Sequence, residues 1–191
     1  MISAIITAAG KNRRMEKDQE KLGIEVQNKL LLDLDGKPVI IQTLEHVQKT
    51  SVKECIVVLG HHSNHIKAVL GNYTDNKVKV ISNLENSAEL SETLLNGVIN
   101  VKDGLCLCVA GDQPTVSGET MQKLVDTAHQ HSDADNIVSI LARKGTGYLN
   151  TAEGLGMPFT CHSSLLKKYL PGRNDNLNPI LEDMINDGVV F

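Results

Sequence analysis

Three separated stretches of the chain carry side chains fit to hold a polyphosphate and a divalent cation. In residues 2–15 an Ile-rich apolar run breaks off into Ala8-Ala9-Gly10 and is followed by Lys11, Arg13 and Arg14. Small residues matter in such a loop because a polyanion reaches main-chain N–H groups only where side chains are absent; glycine also admits backbone angles that other residues resist. Arg14 adds a rigid fork of donors for phosphate oxygens. Lys29 opens Lys29-Leu30-Leu31-Leu32 and brings a second long cation. Asp112 follows the apolar run 105–110, within Gly111-Asp112-Gln113-Pro114. A carboxylate there suits Mg²⁺, which takes one or two protein oxygens and completes its shell with water and substrate phosphates. Singly, these features also read as a tight turn, a surface lysine and a turn aspartate. Together they form a phosphate-and-metal constellation drawn from three segments.

Those segments must be carried to one place. The Ile-rich run ahead of Ala8 and the stretches 55–59, 78–82, 105–110 and 136–142 read as buried strands. Helical stretches fall between them. Pro38 begins one that Ile41, Leu44 and Val47 carry onward, and another runs from Gly60 to near Leu70. Ser87 starts a third, faced by Leu90, Leu94 and Val98, and Ser117 caps a fourth through His129. Residues 29–38 read as a short extended piece with a turn at Asp35-Gly36. Residues 16–28 show too little periodicity to assign. Beyond Ala142, Gly145, Gly147, Gly154 and Gly156 lead into an extended 157–161, helices at 163–169 and 178–186, and an extended end at 189–191. The alternation predicts an α/β protein, a three-layer α/β/α arrangement around a mainly parallel sheet, with its ligand beyond the carboxyl ends of the strands. A length of 191 residues fits one domain, 1–191.

Composition removes several function classes. A net charge of −4 and a pI near 6.0 do not suit a protein that coats nucleic acid, yet residues 11–17 hold four cations against Glu16. No apolar run approaches the roughly 20 residues needed to span a bilayer, and the first residues lack a signal-peptide layout. The expectation is a cytoplasmic protein with neither nucleic acid nor membrane as partner. Cys55, Cys106, Cys108 and Cys161 have no C-x-x-C spacing; Cys106 and Cys108 share one side of a strand and read as buried, reduced thiols. His61, His62 and His65 read as a solvated helix start rather than a zinc site. Asp33-Leu34-Asp35 mimics a metal-binding Asp-x-Asp but precedes Gly36-Lys37-Pro38, which favours a turn. Neither a P-loop nor a Gly-x-Gly-x-x-Gly motif is present.

Taken with Asp35-Gly36-Lys37-Pro38, Asn83 and the Leu90-Ser91-x-Thr93-Leu94-x-x-Gly97 block, these motifs resemble the molybdenum-cofactor cytidylyltransferase-like family of nucleotidyltransferases. Gly156-Met157-Pro158-Phe159 and Gly172-Arg173-Asn174-Asp175 are similar to two further, weaker blocks of it. The resemblance implies a Rossmann-like, glycosyltransferase-A-like nucleotidyltransferase fold. It implies transfer of a nucleoside monophosphate from a triphosphate to a phosphate-bearing acceptor, with pyrophosphate leaving. Ala8, Ala9 and Gly10 would then hold base and phosphates, Arg14 and Lys29 would serve as phosphate cations, and Asn83 and Thr93 would contact the nucleotide. Asp112 would bind Mg²⁺, leaving Arg14, Lys29 and Asp112 as the catalytic set, while Gly156, Pro158 and Asp175 would face the acceptor. In relatives an Ala-Ala-Gly loop goes with CTP and an Ala-Gly-Gly loop with GTP, so CTP is expected, with molybdopterin as acceptor. Cytidylyl transfer to a sugar or isoprenoid phosphate, and a non-catalytic nucleotide-binding domain, stay open beside it. The chain departs from the family pattern at Glu16 and Glu89, where glycine is usual, and at Thr93, where serine is.

Overall fold

The computed structural model describes residues 1–10, 13–24, 27–60, 63–73, 75–83, 88–142 and 146–191; the side chains of Arg13, Arg14 and Glu16 also lie outside the description. The chain opens with β1 (Ile2–Ala8), α1 (Arg13–Lys21), a 3-10 turn (Lys29–Leu31), β2 (Asp33–Leu34), β3 (Lys37–Pro38) and α2 (Val39–Gln48). It continues through β4 (Glu54–Leu59), α3 (Asn64–Gly71), β5 (Val78–Ser82), α4 (Leu90–Val98), β6 (Leu105–Ala110) and α5 (Gly118–Gln130). The last elements are β7 (Val138–Ile140), β8 (Phe159–His162), α6 (Ser163–Tyr169) and α7 (Leu177–Asn186).

Because β1 is flanked on both sides, its apolar side chains serve two cores. Ile5 joins one with Ile56, Val58, Cys106 and Cys108, beneath α4, α6 and α7. Ala4, Ile6 and Ala8 join the other with Val57, Leu59, Leu107 and Val109, beneath α2, α3 and α5. Strands buried on both faces read as continuous apolar runs, which is why β1, β4 and β6 were legible in the sequence. The sheet order is β5-β4-β1-β6-β8-β7, with β5, β4, β1 and β6 parallel and β8 antiparallel to both its neighbours. The mainly parallel three-layer expectation holds. Among the described residues no helix is long and apolar enough to cross a membrane.

Several expectations need correction. Residues 16–28 could not be assigned from the sequence: α1 covers their first part and closes through Gly23, whose φ of 64° is the left-handed geometry common after helices. Its residues are almost all charged, so no apolar stripe announced it. Residues 29–31 form a 3-10 turn rather than an extended piece, because the Asn28 side chain accepts from Leu30 N at 3.0 Å. The third helix starts at Leu90, with Glu89 as its cap residue; Ser87 lies outside the described residues. The expected strand 136–142 shrinks to β7, and β8 intervenes between it and β6, an antiparallel insertion that alternation alone cannot foretell. Val190 bridges Ile137 beyond that edge. Asp35 and Gly36, at φ 53° and 83°, make the two-residue hairpin turn between β2 and β3, as expected of that sequence. All four cysteines are buried free thiols. His65 is exposed on α3, while Lys11, His61, His62 and Gly145 lie outside the described residues.

Candidate active site

The strand order itself creates a crevice. The chain leaves β1 through α2 and reaches β4 on one side; from β5 it returns through α4, on the opposite face, to β6 on the other side of β1. Between β1 and β6 the direction of winding reverses, and loops at the carboxyl ends of those strands part around a gap, the usual ligand position in open α/β sheets. Ala8-Ala9-Gly10 leaves one strand there and Ala110-Gly111-Asp112 the other. A cleft of about 820 Å³ opens above them. Ligand pockets typically run from about 300 to 1,000 Å³, so the cleft has the size of a small-molecule site.

The Asp112 turn is held from several directions. Gly111 N donates to Thr7 O at 2.9 Å, and the buried Thr43 hydroxyl donates to Gly111 O at 3.0 Å. A Cβ on Gly111 would stand 2.7 Å from Ile40 Cδ1 and 3.3 Å from Thr7 O, so the turn sits this close to β1 only because the residue is glycine. Gln113 accepts from Ala110 N at 3.0 Å and donates to Met157 O at 2.6 Å. Asp112 projects from this fixed turn into the cleft. Lys29 enters from the far wall, its backbone pinned by the Asn28 cap and by buried Leu30 beside it. Its Nζ donates to Asp112 Oδ2 at 2.5 Å, with the two side chains 39% and 37% exposed.

Of the residues expected at the site, Ala8, Ala9, Gly10, Lys29, Thr93 and Asp112 line this one cleft. Gly10 has no left-handed φ and nothing within 4 Å of a built Cβ. Its backbone therefore does not require glycine; what a side chain would fill is open space in the cleft. Asn83 is 6% exposed and bonded at both ends of its amide: its Nδ2 donates to Thr93 Oγ1 at 2.9 Å and its Oδ1 accepts from Asn96 Nδ2 at 3.0 Å. It buttresses Thr93 instead of reaching the cleft. Thr93 in turn donates to Glu89 O at 3.0 Å. Gly156, Pro158 and Asp175 do not line the cleft either. The first two flank Met157, whose carbonyl holds Gln113 under the Asp112 turn. Asp175 ties the start of α7 to α4, exchanging Ser91 N to Asp175 O at 3.2 Å and Asp175 N to Ser91 Oγ at 3.0 Å. Its carboxylate pairs with Arg173 at 3.0 Å. Arg173 also meets Asp183, and these two carboxylates, Asp183 foremost, raise the guanidinium pKa above its ordinary value. The side chain of Arg14 lies outside the described residues.

Of the other cleft residues, Glu89 stood out in the sequence only as a departure from the family pattern, and Met15, Asp18, Gln19, Leu22 and Asn176 had no distinct signal. Met15, Asp18, Gln19 and Leu22 line one wall from a single face of α1 and the turn after it. Gln19 Oε1 also accepts from Gln27 N at 3.1 Å, which ties the helix to the returning chain. Glu89 and Asn176, the cap residues of α4 and α7, line the opposite wall. Glu89 has φ −87°, so the backbone here makes no demand for the glycine usual in relatives. No histidine stands among the described residues of the cleft, nor do those residues include three or more His, Cys, Asp or Glu grouped to hold a metal unaided.

Comparison with known proteins agrees with this architecture. Residues 4–176 match the family model described as MobA-like NTP transferase domain. The solved structure of a nucleotidyl transferase from Methanothermobacter thermautotroptrophicus is 42% identical, covers 100% of this chain and 84% of its own, and superposes with a TM-score of 0.90. A 4-diphosphocytidyl-2C-methyl-D-erythritol synthase from Anaerococcus prevotii shares the fold at 17% identity, a TM-score of 0.68 and coverage of 99% and 84%. The bifunctional protein GlmU of Bacillus thuringiensis is 25% identical over 185 residues, which is 97% of this chain but 36% of that protein. The chain thus spans about a third of the curated relatives it matches.

Proposed function

The chain belongs to the MobA-like NTP transferase family, and from that premise we propose that it moves a nucleoside monophosphate from a nucleoside triphosphate to a phosphate-bearing acceptor, releasing pyrophosphate. The observation that carries this reading is the convergence of the Ala8-Ala9-Gly10 loop, Lys29 and Asp112 on one cleft. The open loop takes the phosphates, and the Lys29 ammonium meets the charge that builds on the leaving pyrophosphate. Arg14 follows this loop in sequence and is assigned a second phosphate contact.

Of the carboxylates that line the cleft, Asp18, Glu89 and Asp112, it is Asp112 that follows the central strand β6 and faces the Ala8-Ala9-Gly10 loop, and one such carboxylate suits Mg²⁺, whose remaining ligands come from water and phosphate. Asp112 would hold that ion, which would neutralise the polyphosphate when bound. The acceptor's phosphate, with a second pKa of about 6, is largely dianionic at neutral pH and needs no protein base. Its oxygen bonds to the α-phosphorus as the bond to the bridging oxygen of the β-phosphate breaks. Alignment and charge stabilisation are then the protein's contribution. The buttress from Asn96 through Asn83 to Thr93 keeps the cleft wall fixed during this exchange.

CTP is the proposed donor, from the Ala-Ala-Gly loop, and molybdopterin the proposed acceptor, from the sequence resemblance. Incubation with labelled CTP, Mg²⁺ and a panel of acceptors tests both: molybdopterin, isoprenoid phosphates and sugar phosphates. Pyrophosphate release above blank with molybdopterin is expected. Release with another acceptor alone would reassign the substrate, and CTP binding without release from any of them would make this a nucleotide-holding domain.

A further inference from the structure

We infer that in the ligand-free protein the Lys29 ammonium stands in for the divalent cation on Asp112, so that metal and nucleoside triphosphate bind as one coupled event. This rests on the nucleotidyl-transfer reading above. Lys29 and Asp112 come from segments 83 residues apart, yet their charged atoms meet at 2.5 Å inside the cleft. The contact takes Asp112 Oδ2; among the described residues no other protein group bonds to that carboxylate.

A bare divalent ion arriving here must displace the ammonium, and the displaced positive charge stays nearby and repels it. A triphosphate changes both terms. It offers Lys29 anionic oxygens in place of Asp112, and it supplies the ion with the ligands that one carboxylate lacks. The moving part is well defined. The Asp112 turn is locked by Thr43, Thr7 and Gln113, and the Lys29 backbone is locked by its 3-10 turn. Only the flexible four-carbon stem of Lys29 needs to swing. Since both side chains are more than a third exposed, the pair's strength is that of a surface ion pair, weak enough to exchange. By linkage, the factor by which nucleotide tightens metal binding equals the factor by which metal tightens nucleotide binding.

The test uses Mn²⁺ alone as probe, with free ion counted by electron paramagnetic resonance, and then Mn²⁺ with α,β-methylene CTP, which cannot release pyrophosphate. Without nucleotide, Lys29→Met is expected to bind Mn²⁺ about fivefold more tightly than the wild type, the factor corresponding to a surface ion pair at the upper end of its range. Lys29→Arg and the remote Lys37→Met should stay at the wild-type value. The nucleotide analogue should raise Mn²⁺ affinity more in the wild type than in Lys29→Met. If the wild type takes up Mn²⁺ with the analogue, Asp112→Asn does not, and Lys29→Met alone binds no better than wild type, the coupling is overturned while nucleotidyl transfer stands. Lys29→Arg gaining as much as Lys29→Met overturns it equally. If the analogue fails to bind the wild type at millimolar concentration, the nucleotide site itself is wrong, and the coupling falls with it.

Discussion

Gly97 lets α4 lie against the sheet, and replacing it with alanine tests whether that approach positions the site. An alanine Cβ at 97 would stand 2.4 Å from Ile5 Cγ2, 3.3 Å from Val58 Cγ2 and 3.4 Å from Ile5 Cγ1. Ile5 and Val58 are fully buried and β-branched, so neither can rotate aside cheaply. Restoring ordinary contact means moving α4 outward by about 1 Å. Overpacking of this kind costs about 1–3 kcal/mol, while alanine in a helix recovers about 1 kcal/mol over glycine. The expected net effect is a loss of about 1 kcal/mol, or roughly 2–4 °C in Tm for a chain of this size. Thr93 lies one turn earlier on α4, and its 2.9 Å bond from Asn83 would stretch as the helix lifts, so nucleotide affinity should fall as well. Urea unfolding followed by far-ultraviolet circular dichroism is the assay, the chain having no tryptophan. In an Ile5→Ala background the obstructing methyl is gone and Gly97→Ala should instead stabilise by about 1 kcal/mol. An equal effect in both backgrounds, or stabilisation in the wild type, refutes the reasoning.

Asp112→Asn should lower turnover at least about a hundredfold while leaving Tm within about 4 °C, because the exposed pair it breaks contributes little to stability; pyrophosphate release and a thermal melt check the two halves. Thr43→Val removes the buried hydroxyl bonded to Gly111 O at 3.0 Å and strands that carbonyl, for an expected loss of about 1–3 kcal/mol by urea titration together with reduced turnover as the Asp112 turn slackens. Burial pushes the Cys55 and Cys106 thiols up to about 12, and Cys108 and Cys161 well above their ordinary value. A thiol-reactive dye at pH 8 should therefore label almost none of the four cysteines until denaturant is added; prompt labelling of native protein would contradict their burial. Since the folded state favours the protonated thiols, their contribution to stability is complete below about pH 9 and declines as pH rises toward 12, visible as a falling urea midpoint.

How much of this was legible in the sequence depended on whether the signal was local. The bounds of β6 and α6 follow an apolar run and a local start signal, and Ser117 caps α5 through its bond from Thr120 N at 3.1 Å; β5 has the expected bounds but, as an edge strand, holds no buried residue, so the buried strand read there is corrected. The Ala8-Ala9-Gly10 loop and the Asp112 turn were legible for the same reason, as small and charged residues placed at the ends of buried strands. α1 was not, since a helix of charged residues has no apolar period to show. The β8 insertion depends on which edge the chain chooses after α5, a long-range decision. The bridge that Asn83 makes was not legible, because its residue type suits a ligand contact as well as a buried bridge; only packing places Asn96 and Thr93 on its two ends. Asn176 and Asp18 enter the cleft through the way their helices dock, which no spacing encodes.

A crystal structure with Mg²⁺ and α,β-methylene CTP measures the central claim most directly. The triphosphate should lie along Ala8-Ala9-Gly10, with Lys29 turned from Asp112 onto its oxygens and Asp112 bound to the ion. A nucleotide seated elsewhere, or one lying over an unbroken Lys29–Asp112 pair, would contradict it.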